Sequence, residues 1–312
     1  MNLVRVELPT PFQIGSVNAY LLRGDPLTLV DVGPKTDEVH GALEAGLAAE
    51  GVRISDIRRI ILTHGHTDHF GMAEVVRAES GAEIVAHESD RPKFTGKRWV
   101  ATHLKRFFIQ AGLPPAFLRA FTDAARSYRR YFDPLTTFSR VADGDALVLD
   151  GERLRVLHCP GHSLGHLCLY HDDGILLAGD LLLSEVSPNP IVEFTPGGKR
   201  IPTLPLYLQS LRRILLLNCN LAYPGHGVPI TTPSARIREL IAHHEQRKEE
   251  IRVRLGRKPK TLLALSQEIY QNLDHFNTML ALSEVVGHLD LLAEEHRVSV
   301  SRSGTRVLYR AK

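Results

Sequence analysis

Residues 63–69 read Thr-His-Gly-His-Thr-Asp-His, and this short stretch constrains the fold more than any other part of the sequence. It places four potential metal ligands between His64 and His69. The apolar run 60–62 precedes it, which predicts a buried strand that ends in a loop carrying the cluster. Gly65 allows the backbone to turn tightly between two imidazoles. These donors predict a metal site, with Zn²⁺ favoured and Fe, Mn or Co as alternatives.

Three later segments each supply one further ligand-type residue, after an apolar run and within a glycine-containing turn. They are His162 in C-P-G-H, Asp180 in A-G-D and His226 in P-G-H-G. Ligand sites commonly form where strand ends converge on one edge of a layered fold. We therefore expect these three residues to join the first cluster.

The succession H-x-H-x-D-H, P-G-H, G-D and P-G-H, over about residues 14–230, resembles the metallo-β-lactamase superfamily. The resemblance implies an α/β fold, a four-layer αβ/βα sandwich with a dinuclear metal centre at one edge. It assigns His64, His66 and His162 to the first metal. It assigns Asp68, His69 and His226 to the second metal, with Asp180 bridging the two ions.

Two cations that share a carboxylate leave coordination positions for water and substrate. A water bridging two metals loses a proton near neutral pH, so the expected nucleophile is a metal-bridging hydroxide. The metals would polarise a carbonyl or phosphoryl oxygen. The expected catalytic residues are Asp68 and Asp180, which could orient the hydroxide or accept a proton. The sequence therefore predicts a metal-dependent hydrolase, and the complete ligand set argues against a degenerate binding module.

Residues 161–166 read G-H-S-L-G-H and resemble the thioesterase branch of the superfamily, which includes glyoxalase II. We interpret His166 as a residue that supports the site or the fold without binding metal. The leading functional hypothesis is hydrolysis of an acyl thioester, linked to coenzyme A or a carrier, or of a related ester. An endoribonuclease or phosphodiesterase is the alternative, and a lactonase is the second alternative.

A helical insertion over about residues 88–140 is rich in aromatic residues and has 11 Lys or Arg against 4 Asp or Glu. One interpretation is a helical pair that packs on the fold with a solvated basic face. The other is a lid that attracts an anionic substrate. Its candidate contacts, for either an adenosine phosphate or a strand of RNA, are Arg126, Arg129 and Arg130 beside Tyr128 and Tyr131.

The sequence divides into a catalytic domain, residues 1–230 including the insertion, and a C-terminal domain, residues 231–312. Periodicity in the second predicts helices over 234–255, 261–271, 277–286 and 288–295, then β-runs over 298–300 and 307–309. This pattern resembles the winged helix appended to some lactamase-fold hydrolases, including the mitochondrial β-lactamase-like endoribonucleases. With 14 Lys or Arg against 10 Asp or Glu, a structural or dimerising role is favoured over nucleic-acid binding.

The remaining core, 1–87 with 141–230, is acidic, with 13 Lys or Arg against 21 Asp or Glu. Basic appendages attract phosphates, so the expected partner is a small anionic thioester or ester, and nucleic acid is not favoured. A homodimer is compatible with the sequence. Three cysteines without zinc-finger spacing, and the lack of a signal-like or spanning apolar run, predict reduced thiols, no membrane and a cytoplasmic location.

Several other residues leave two interpretations open or no role. Asp31, in V-D-V-G, could stand behind the metal ligands or simply end a strand. Cys159 is expected to be a wall residue, His87 to pack or cap, and His158 and His171 have no assigned role. Elsewhere the patterns predict strands 15–22, 27–30 and 83–86, helices 37–50 and 72–79, and a cleft-shaping loop over 184–205.

Overall fold

The structure, a computed structural model, describes residues 1–312, with the side chain of Arg98 outside the description. The described residues form two compact units. The first comprises Met1–Gly96, Tyr128–Pro188 and Ser210–Ile237. The second comprises Lys97–Ser127, Asn189–Gln209 and Arg238–Lys312.

The elements are numbered along the chain. The strands are β1 Leu3–Leu8, β2 Val17–Leu22, β3 Thr28–Val30, β4 Arg59–Ile61, β5 Glu83–Ala86, β6 Ser139–Arg140, β7 Ala146–Leu149, β8 Glu152–His158, β9 Leu167–His171, β10 Ile175–Gly179, β11 Glu193–Phe194, β12 Arg200–Ile201, β13 Leu221–Pro224, β14 Lys260–Thr261, β15 Val298–Ser303 and β16 Arg306–Ala311. The helices are α1 Asp37–Ala49, α2 Thr67–Phe70, α3 Ala73–Ser80, α4 Arg91–Phe94, α5 Arg98–Ala111, α6 Pro115–Tyr128, α7 Thr203–Leu215, α8 Pro233–Leu255, α9 Leu262–Ile269 and α10 His275–Glu294.

The first unit is built on two sheets, in strand orders β1-β2-β3-β4-β5-β6 and β13-β10-β9-β8-β7. Strands β3 to β6 run parallel, as do β10 and β13. One buried cluster joins Tyr20 and Ile61 of the first sheet to Val156 and Leu169 of the second. The two sheets therefore pack face to face through apolar side chains.

The opposite face of the first sheet is covered by helices. Helix α1 begins after Thr36, whose hydroxyl accepts a hydrogen bond from the backbone N–H of Val39 and so satisfies a helix-terminal donor. Its buried stripe is Val39, Leu43 and Leu47, at helical spacing. Full burial of each leucine contributes about 2–3 kcal/mol, so this face ties the helix to the sheet. The predicted helix 37–50 and strand 83–86 are confirmed.

The second unit is mainly helical. In the described residues its largest apolar cluster joins Phe108 of α5, Leu265 of α9, and Leu282 and Leu289 of α10. Strands β14, β16 and β15 form a small antiparallel sheet in that order. The predicted β-runs 298–300 and 307–309 are confirmed within β15 and β16. None of the described helices combines the length and the apolar composition needed to cross a lipid bilayer.

The compact units differ from the predicted domains. The second unit takes in part of the insertion, 97–127, and the segment 189–209 in addition to the tail. The physical reason is a shared core, because Phe108 and Val192 belong to the same buried cluster as Leu282. The expected loop 184–205 contains the hairpin β11–β12 and the start of α7.

One prediction of secondary structure needs correction, and one strand was missed. The predicted helices 277–286 and 288–295 are the single helix α10, which continues through Gly287. A Cβ at Gly287 would lie 2.7 Å from the Cβ of Leu204, so glycine serves close packing here rather than helix termination. The strand β1 was not predicted, although it pairs antiparallel with β2 along its whole length.

Candidate metal centre

The segment 63–69 lies in the first unit, directly after strand β4. Buried Ile60 and Ile61 of that strand place the segment at the end of a parallel strand. His64 and His66 lie on the connecting loop, and Asp68 follows in the short helix α2. The expected loop therefore includes one helical turn, which turns Asp68 and its neighbour His69 toward the same site.

The other candidate ligands also follow strand ends of the first unit. His162 follows β8, Asp180 follows β10 and His226 follows β13, all in the second sheet. The structure brings together all seven residues named by the sequence. Their ligand atoms form three overlapping groups with internal separations of 4.8 Å or less: His64, His66 and His162; His64, His69 and Asp180; and Asp68, His69 and His226.

Asp180 lies between the two sets of histidines. Its Oδ1 is 3.5 Å from Nε2 of His69. Its Oδ2 is 3.4 Å from Nε2 of His162 and 3.6 Å from Nε2 of His226. On the first side, Nε2 of His64 and Nδ1 of His66 are 3.0 Å apart. A carboxylate in this position can contact two cations at once.

Hydrogen bonds on the outer side of the rings fix which nitrogen faces the site. Nδ1 of His226 donates to the carbonyl of Ser16 over 2.7 Å. Nδ1 of His69 is 2.8 Å from Oδ2 of Asp31 and donates to that carboxylate. In a neutral imidazole the opposite nitrogen, Nε2, then carries the lone pair that a metal requires. These contacts hold both rings in the metal-binding tautomer.

Through Thr63, Asp31 also fixes the orientation of a third ring, that of His64. The hydroxyl of Thr63 donates to Oδ2 of Asp31 over 2.7 Å, and the Thr63 backbone N–H donates to Oδ1 over 2.8 Å. Because its proton is used, the Thr63 oxygen accepts from Nδ1 of His64, 3.1 Å away. The structure thus places Asp31 behind two candidate ligands and favours a positioning role over that of a simple strand end.

The donor set fits divalent cations. Nε2 of His69, Nε2 of His226 and Oδ1 of Asp180 are buried and make no hydrogen bond to any described residue. Leaving one buried polar atom unsatisfied costs about 1–3 kcal/mol, so three together need a further partner. Imidazole nitrogens and carboxylate oxygens are ligands for Zn²⁺ and for similar cations.

The electrostatics differ across the centre. Burial lowers the pKa of His64 and of His66, and neighbouring imidazoles lower both further, so these rings are neutral at neutral pH. Burial alone would raise the pKa of Asp68, but His69 and His226 outweigh it and lower the value to about 2. Burial also opposes the ionisation of Asp180, yet the same histidines hold its pKa well below the usual range. Burial opposes the protonation of His69 and His226, but Asp180 and the neighbouring carboxylates outweigh it and raise both pKa values. Two carboxylates and two imidazoles therefore balance in charge, and a bound cation would take the place of the imidazole protons.

Sequence reasoning missed Asp90, a fully buried carboxylate that joins two ligand-bearing loops. Its Oδ2 accepts from the backbone N–H of Gly65 over 2.7 Å, and its Oδ1 accepts from that of Gly165 over 2.9 Å. The Ser163 hydroxyl donates to it over 2.6 Å, and Nζ of Lys93 lies 3.0 Å away. The sequence pattern that could have indicated this role is an acidic residue shortly after strand β5, followed by a lysine one helical turn later.

His166 supports the centre from behind, as one of the two predicted interpretations. Its Nε2 accepts a hydrogen bond from the backbone N–H of Asp180 over 3.0 Å. Burial, then neighbouring His162, lowers the pKa of His166 to about 3, so the ring stays neutral and can accept that bond. A Cβ on Gly179 would lie 2.8 Å from the same nitrogen, which explains glycine before Asp180.

The remaining expectations are resolved by contacts outside the centre. His87 both caps and packs, since it accepts from the Ser89 backbone N–H and stacks on His158 with ring centroids 3.9 Å apart. His171 pairs with Glu152 over 3.0 Å. Cys159, Cys168 and Cys219 are free, buried thiols.

Part of the insertion belongs to the first unit and forms an aromatic cluster. The Phe12 ring stacks on Tyr128, with centroids 5.2 Å apart, and meets the edge of Tyr131 at the same distance. The guanidinium of Arg130 lies 4.7 Å from the centre of the Tyr131 ring. Burial raises the pKa of Tyr128, and the negative charge of Asp68 raises it further. This cluster therefore lies close enough to Asp68 to interact with its charge.

Comparisons with known proteins agree with this geometry. The sequence model of the Metallo-beta-lactamase superfamily matches residues 13–226. Probable metallo-hydrolase YqjP of Bacillus subtilis is 35% identical over 99% of this chain and 98% of its own length. The crystal structure of a metallo-beta-lactamase family protein from Thermus thermophilus superposes with a TM-score of 0.86, at 33% identity, over 99% of this chain and 98% of its own.

A more distant relative carries a more specific description. It is described as an atrochrysone carboxyl ACP thioesterase of Aspergillus fumigatus and is 27% identical over 246 residues. The match covers 78% of this chain and 61% of the relative, so it extends over less than two thirds of that protein.

Proposed function

This chain belongs to the metallo-beta-lactamase superfamily and is a hydrolase of that superfamily, and from this premise we propose that it hydrolyses acyl thioesters. The proposed substrate is linked to coenzyme A or to an acyl carrier, or is a related ester. The observation that carries the proposal is the likeness to the carrier-protein thioesterase, in a chain whose segment 161–166 reads G-H-S-L-G-H.

We propose that two divalent cations, with Zn²⁺ favoured, occupy the centre. Three imidazoles would hold the first, those of His64, His66 and His162. The second would be held by Asp68, His69 and His226, with Asp180 shared between the two ions. When bound, such cations lower the pKa of water and polarise the carbonyl of a substrate.

The chain's own residues contribute position and proton transfer. With its pKa lowered to about 2, Asp68 is a carboxylate at neutral pH and can accept a proton from an attacking water. Asp31, Asp90 and His166 keep the ligand side chains and the Asp180 backbone in place through the hydrogen bonds described above. The site is therefore preorganised, which lowers the cost of reaching the transition state.

The protonation state of the centre also favours a thioester. Asp68 and Asp180 are ionised before the reaction, because nearby imidazoles lower both pKa values, so from these two groups a leaving group can receive only a proton first taken from the attacking water. A thiolate has an ordinary pKa of about 8.5, so it departs without prior protonation more readily than an alkoxide. Of the esters considered, a thioester therefore depends least on protonation of its leaving group by the site.

An endoribonuclease is the second candidate, and one observation favours it. The order α8, β14, α9, α10, β15, β16, with a sheet in the order β14-β16-β15, supports our proposal that this segment is a winged helix. Winged helices occur in nucleic-acid-binding proteins. We also propose that the two packed sheets and their helices are the four-layer sandwich.

A parallel assay separates the two candidates. Thiol release from several acyl-coenzyme A and acyl-carrier thioesters is measured beside gel-resolved cleavage of labelled single-stranded RNA, each with and without a chelator. We expect chelator-sensitive thiol release and little RNA cleavage. Chelator-sensitive RNA cleavage with no thiol release from any thioester would reverse the assignment.

Metal content is tested separately from activity. Elemental analysis of purified protein gives the metal and its stoichiometry, and anomalous diffraction locates each ion. We expect two ions about 3.5–4 Å apart, as in other two-metal hydrolases. One ion that leaves Asp68 and His226 unligated would contradict the dinuclear proposal.

A further inference from the structure

The second unit contains a cavity of about 210 Å³ built from three segments that are distant in sequence. Helix α5 supplies Arg106 and Phe107, and the hairpin β11–β12 supplies Phe194 and Arg200. The hairpin β15–β16 supplies Arg302 and Tyr309. Helix α5 comes from the predicted insertion and β15–β16 from the predicted C-terminal domain, so the fold has brought two basic segments to one site.

The charge of this cavity is unbalanced. Arg200 is paired with Asp290 through two bonds, Nη1 to Oδ2 over 2.6 Å and Nη2 to Oδ1 over 2.5 Å. Arg106 and Arg302 make no ion pair with any described residue, and the described lining residues include no Asp or Glu. The Arg200 pair is neutral as a unit, so two guanidinium charges remain for a ligand.

The other walls of the cavity are aromatic. Phe107 and Phe194 lie with ring centroids 6.2 Å apart, and His103 lies 5.8 Å from Phe194. Nε2 of His103 is 3.1 Å from the carbonyl of Pro196, which holds the imidazole against the hairpin. Guanidinium groups recognise phosphate oxygens in a bidentate manner, and aromatic faces accept a heterocyclic base.

We propose that this cavity binds the phosphate groups of an adenosine phosphate, the handle of a coenzyme A thioester. This inference rests on the proposed function, because it names the end of the substrate that the second unit recognises. The volume is below the range of about 300–1,000 Å³ typical of pockets for a whole ligand. The cavity therefore takes the phosphorylated end of the molecule and leaves the acyl end outside.

The hairpin offers a matched control for simple surface charge. Arg310 is exposed and lies on β16 next to Tyr309 in sequence. Successive side chains of a strand point to opposite faces, and Arg310 is not among the lining residues. Arg310→Ala removes the same charge from the same hairpin without changing the cavity.

The test is calorimetric titration of the full-length protein with adenosine 3′,5′-bisphosphate, which has the 3′-phosphate and the first 5′-phosphate of the handle but no thioester. Adenosine is the matched ligand without phosphate. We expect the bisphosphate to bind with an affinity that falls as salt increases. Adenosine should bind far more weakly, because only the aromatic walls remain to contact it. Arg106→Ala and Arg302→Ala should each weaken binding by about tenfold, the effect of losing one charge-assisted hydrogen bond. Arg310→Ala should leave the affinity unchanged.

The outcomes separate this inference from the proposed function. No binding of the bisphosphate, or an equal loss with Arg310→Ala, would overturn the cavity as a phosphate site even if thioesters are hydrolysed. Binding that depends on Arg106 and Arg302, without thiol release from any thioester, would keep the site and remove the thioesterase assignment. Binding of a short labelled RNA but not of the bisphosphate would overturn the inference in favour of a nucleic-acid surface.

Discussion

Two regions of the molecule bring histidines and a carboxylate within metal-ligand distance, and they differ in the charge state of their carboxylates. The first is the centre between the strand ends of the first unit. The second lies between helices α8 and α10 of the second unit, where His244, Glu284 and His288 have ligand atoms within 4.8 Å of one another. The residue types and spacings are similar, so the difference must lie in the surrounding contacts.

The ring nitrogens are used partly alike in the two regions, since Nδ1 of His288 also donates to a backbone carbonyl, that of Glu284, over 2.8 Å. In the metal centre, His69 and His226 contact Asp31 and Ser16 through Nδ1 and direct Nε2 inward. In the helical cluster, Nδ1 of His244 lies 3.3 Å from Nε2 of His288, so one imidazole can donate to the other. A close pair of ring nitrogens does not by itself exclude a cation, because His64 and His66 form one as well. We interpret the helical cluster as a packing network because of the charge state of its carboxylate.

The carboxylates behind these rings also differ. Burial would raise the pKa of Asp90, but Lys93 and Ser163 hold it well below its usual range. Burial raises the pKa of Glu284 to about 7, opposed only in part by Arg247. A buried carboxylate therefore supports a metal centre when donors keep it ionised, and otherwise tends to be neutral.

The largest effect should come from Asp180, which serves both halves of the metal centre. Asp180→Asn removes the charge between the two proposed ions while keeping the shape of the side chain. We expect turnover to fall by about 10³-fold, since a bound metal contributes several kcal/mol to the transition state. Metal content should fall as well, with the fold retained by circular dichroism. Asp143→Asn is the control, because Asp143 pairs with Arg213 outside the centre.

Substitution of Asp90 should have the second-largest effect on activity, because Asp90 acts on the first half of the centre only by positioning backbone and side-chain groups. In Asp90→Asn the amide NH₂ would face a donor such as the Gly65 N–H, whereas a carboxylate accepts from all sides. We expect activity and metal affinity to fall by about 10- to 100-fold, as for other residues that orient metal ligands.

Cobalt(II) binding followed by absorbance gives the readout for this variant. Ser163→Ala, which removes one donor and keeps the carboxylate, should show a smaller loss in the same direction. Unchanged cobalt affinity in Asp90→Asn, together with lower thermal stability, would show that Asp90 serves the fold alone.

Asp31 should show a smaller effect, concentrated on the second half of the centre. Its φ is 58°, a left-handed conformation that asparagine also accepts, so Asp31→Asn should preserve the backbone. An amide accepts less strongly than a carboxylate, so the tautomer of His69 becomes less well defined. We expect metal affinity to fall by about tenfold. Unchanged affinity for the second cobalt ion would show that Asp31 does not act through His69.

The sequence identified the candidate ligands because each is local to its own motif. His64 and His69 lie within one short segment, and His162, Asp180 and His226 each stand in a glycine-containing turn after an apolar strand. Their convergence then depends only on strand ends meeting at one edge. Asp90 has no such local pattern, because its partners Gly65 and Gly165 lie 25 and 75 positions away.

The packing of the second unit was harder to predict from the sequence, for the same reason. Its core joins helix α5 to α9 and α10, and such long-range packing leaves no local signal in a sequence. Gly287 shows the limit clearly. Glycine inside a helical pattern predicts a break, yet here the missing side chain allows Leu204 to approach α10, and tertiary packing outweighs intrinsic propensity.

The smallest expected effect, and the sharpest test of the comparison, is Glu284→Gln in the helical cluster. The pKa of Glu284 is about 7 in the folded protein and about 4.3 in an unfolded chain, so the folded state binds the proton more tightly. Its contribution to stability is then fully present below about pH 4 and is lost as pH rises toward 7. Glutamine is neutral at every pH, so Glu284→Gln should raise the free energy of unfolding at pH 8 by roughly 1–3 kcal/mol and change it little at pH 4.

Guanidinium unfolding monitored by Trp99 fluorescence reports the free energy of unfolding of the unit that contains Glu284. The chain has one tryptophan, and it lies in the second unit. Metal content and thioester hydrolysis should remain at wild-type values, because nothing in the helical cluster requires a cation. Loss of one metal equivalent in Glu284→Gln would show that His244, Glu284 and His288 hold an ion. The two His–carboxylate regions would then be alike in kind, and the charge state of the carboxylate would not mark which of them binds metal.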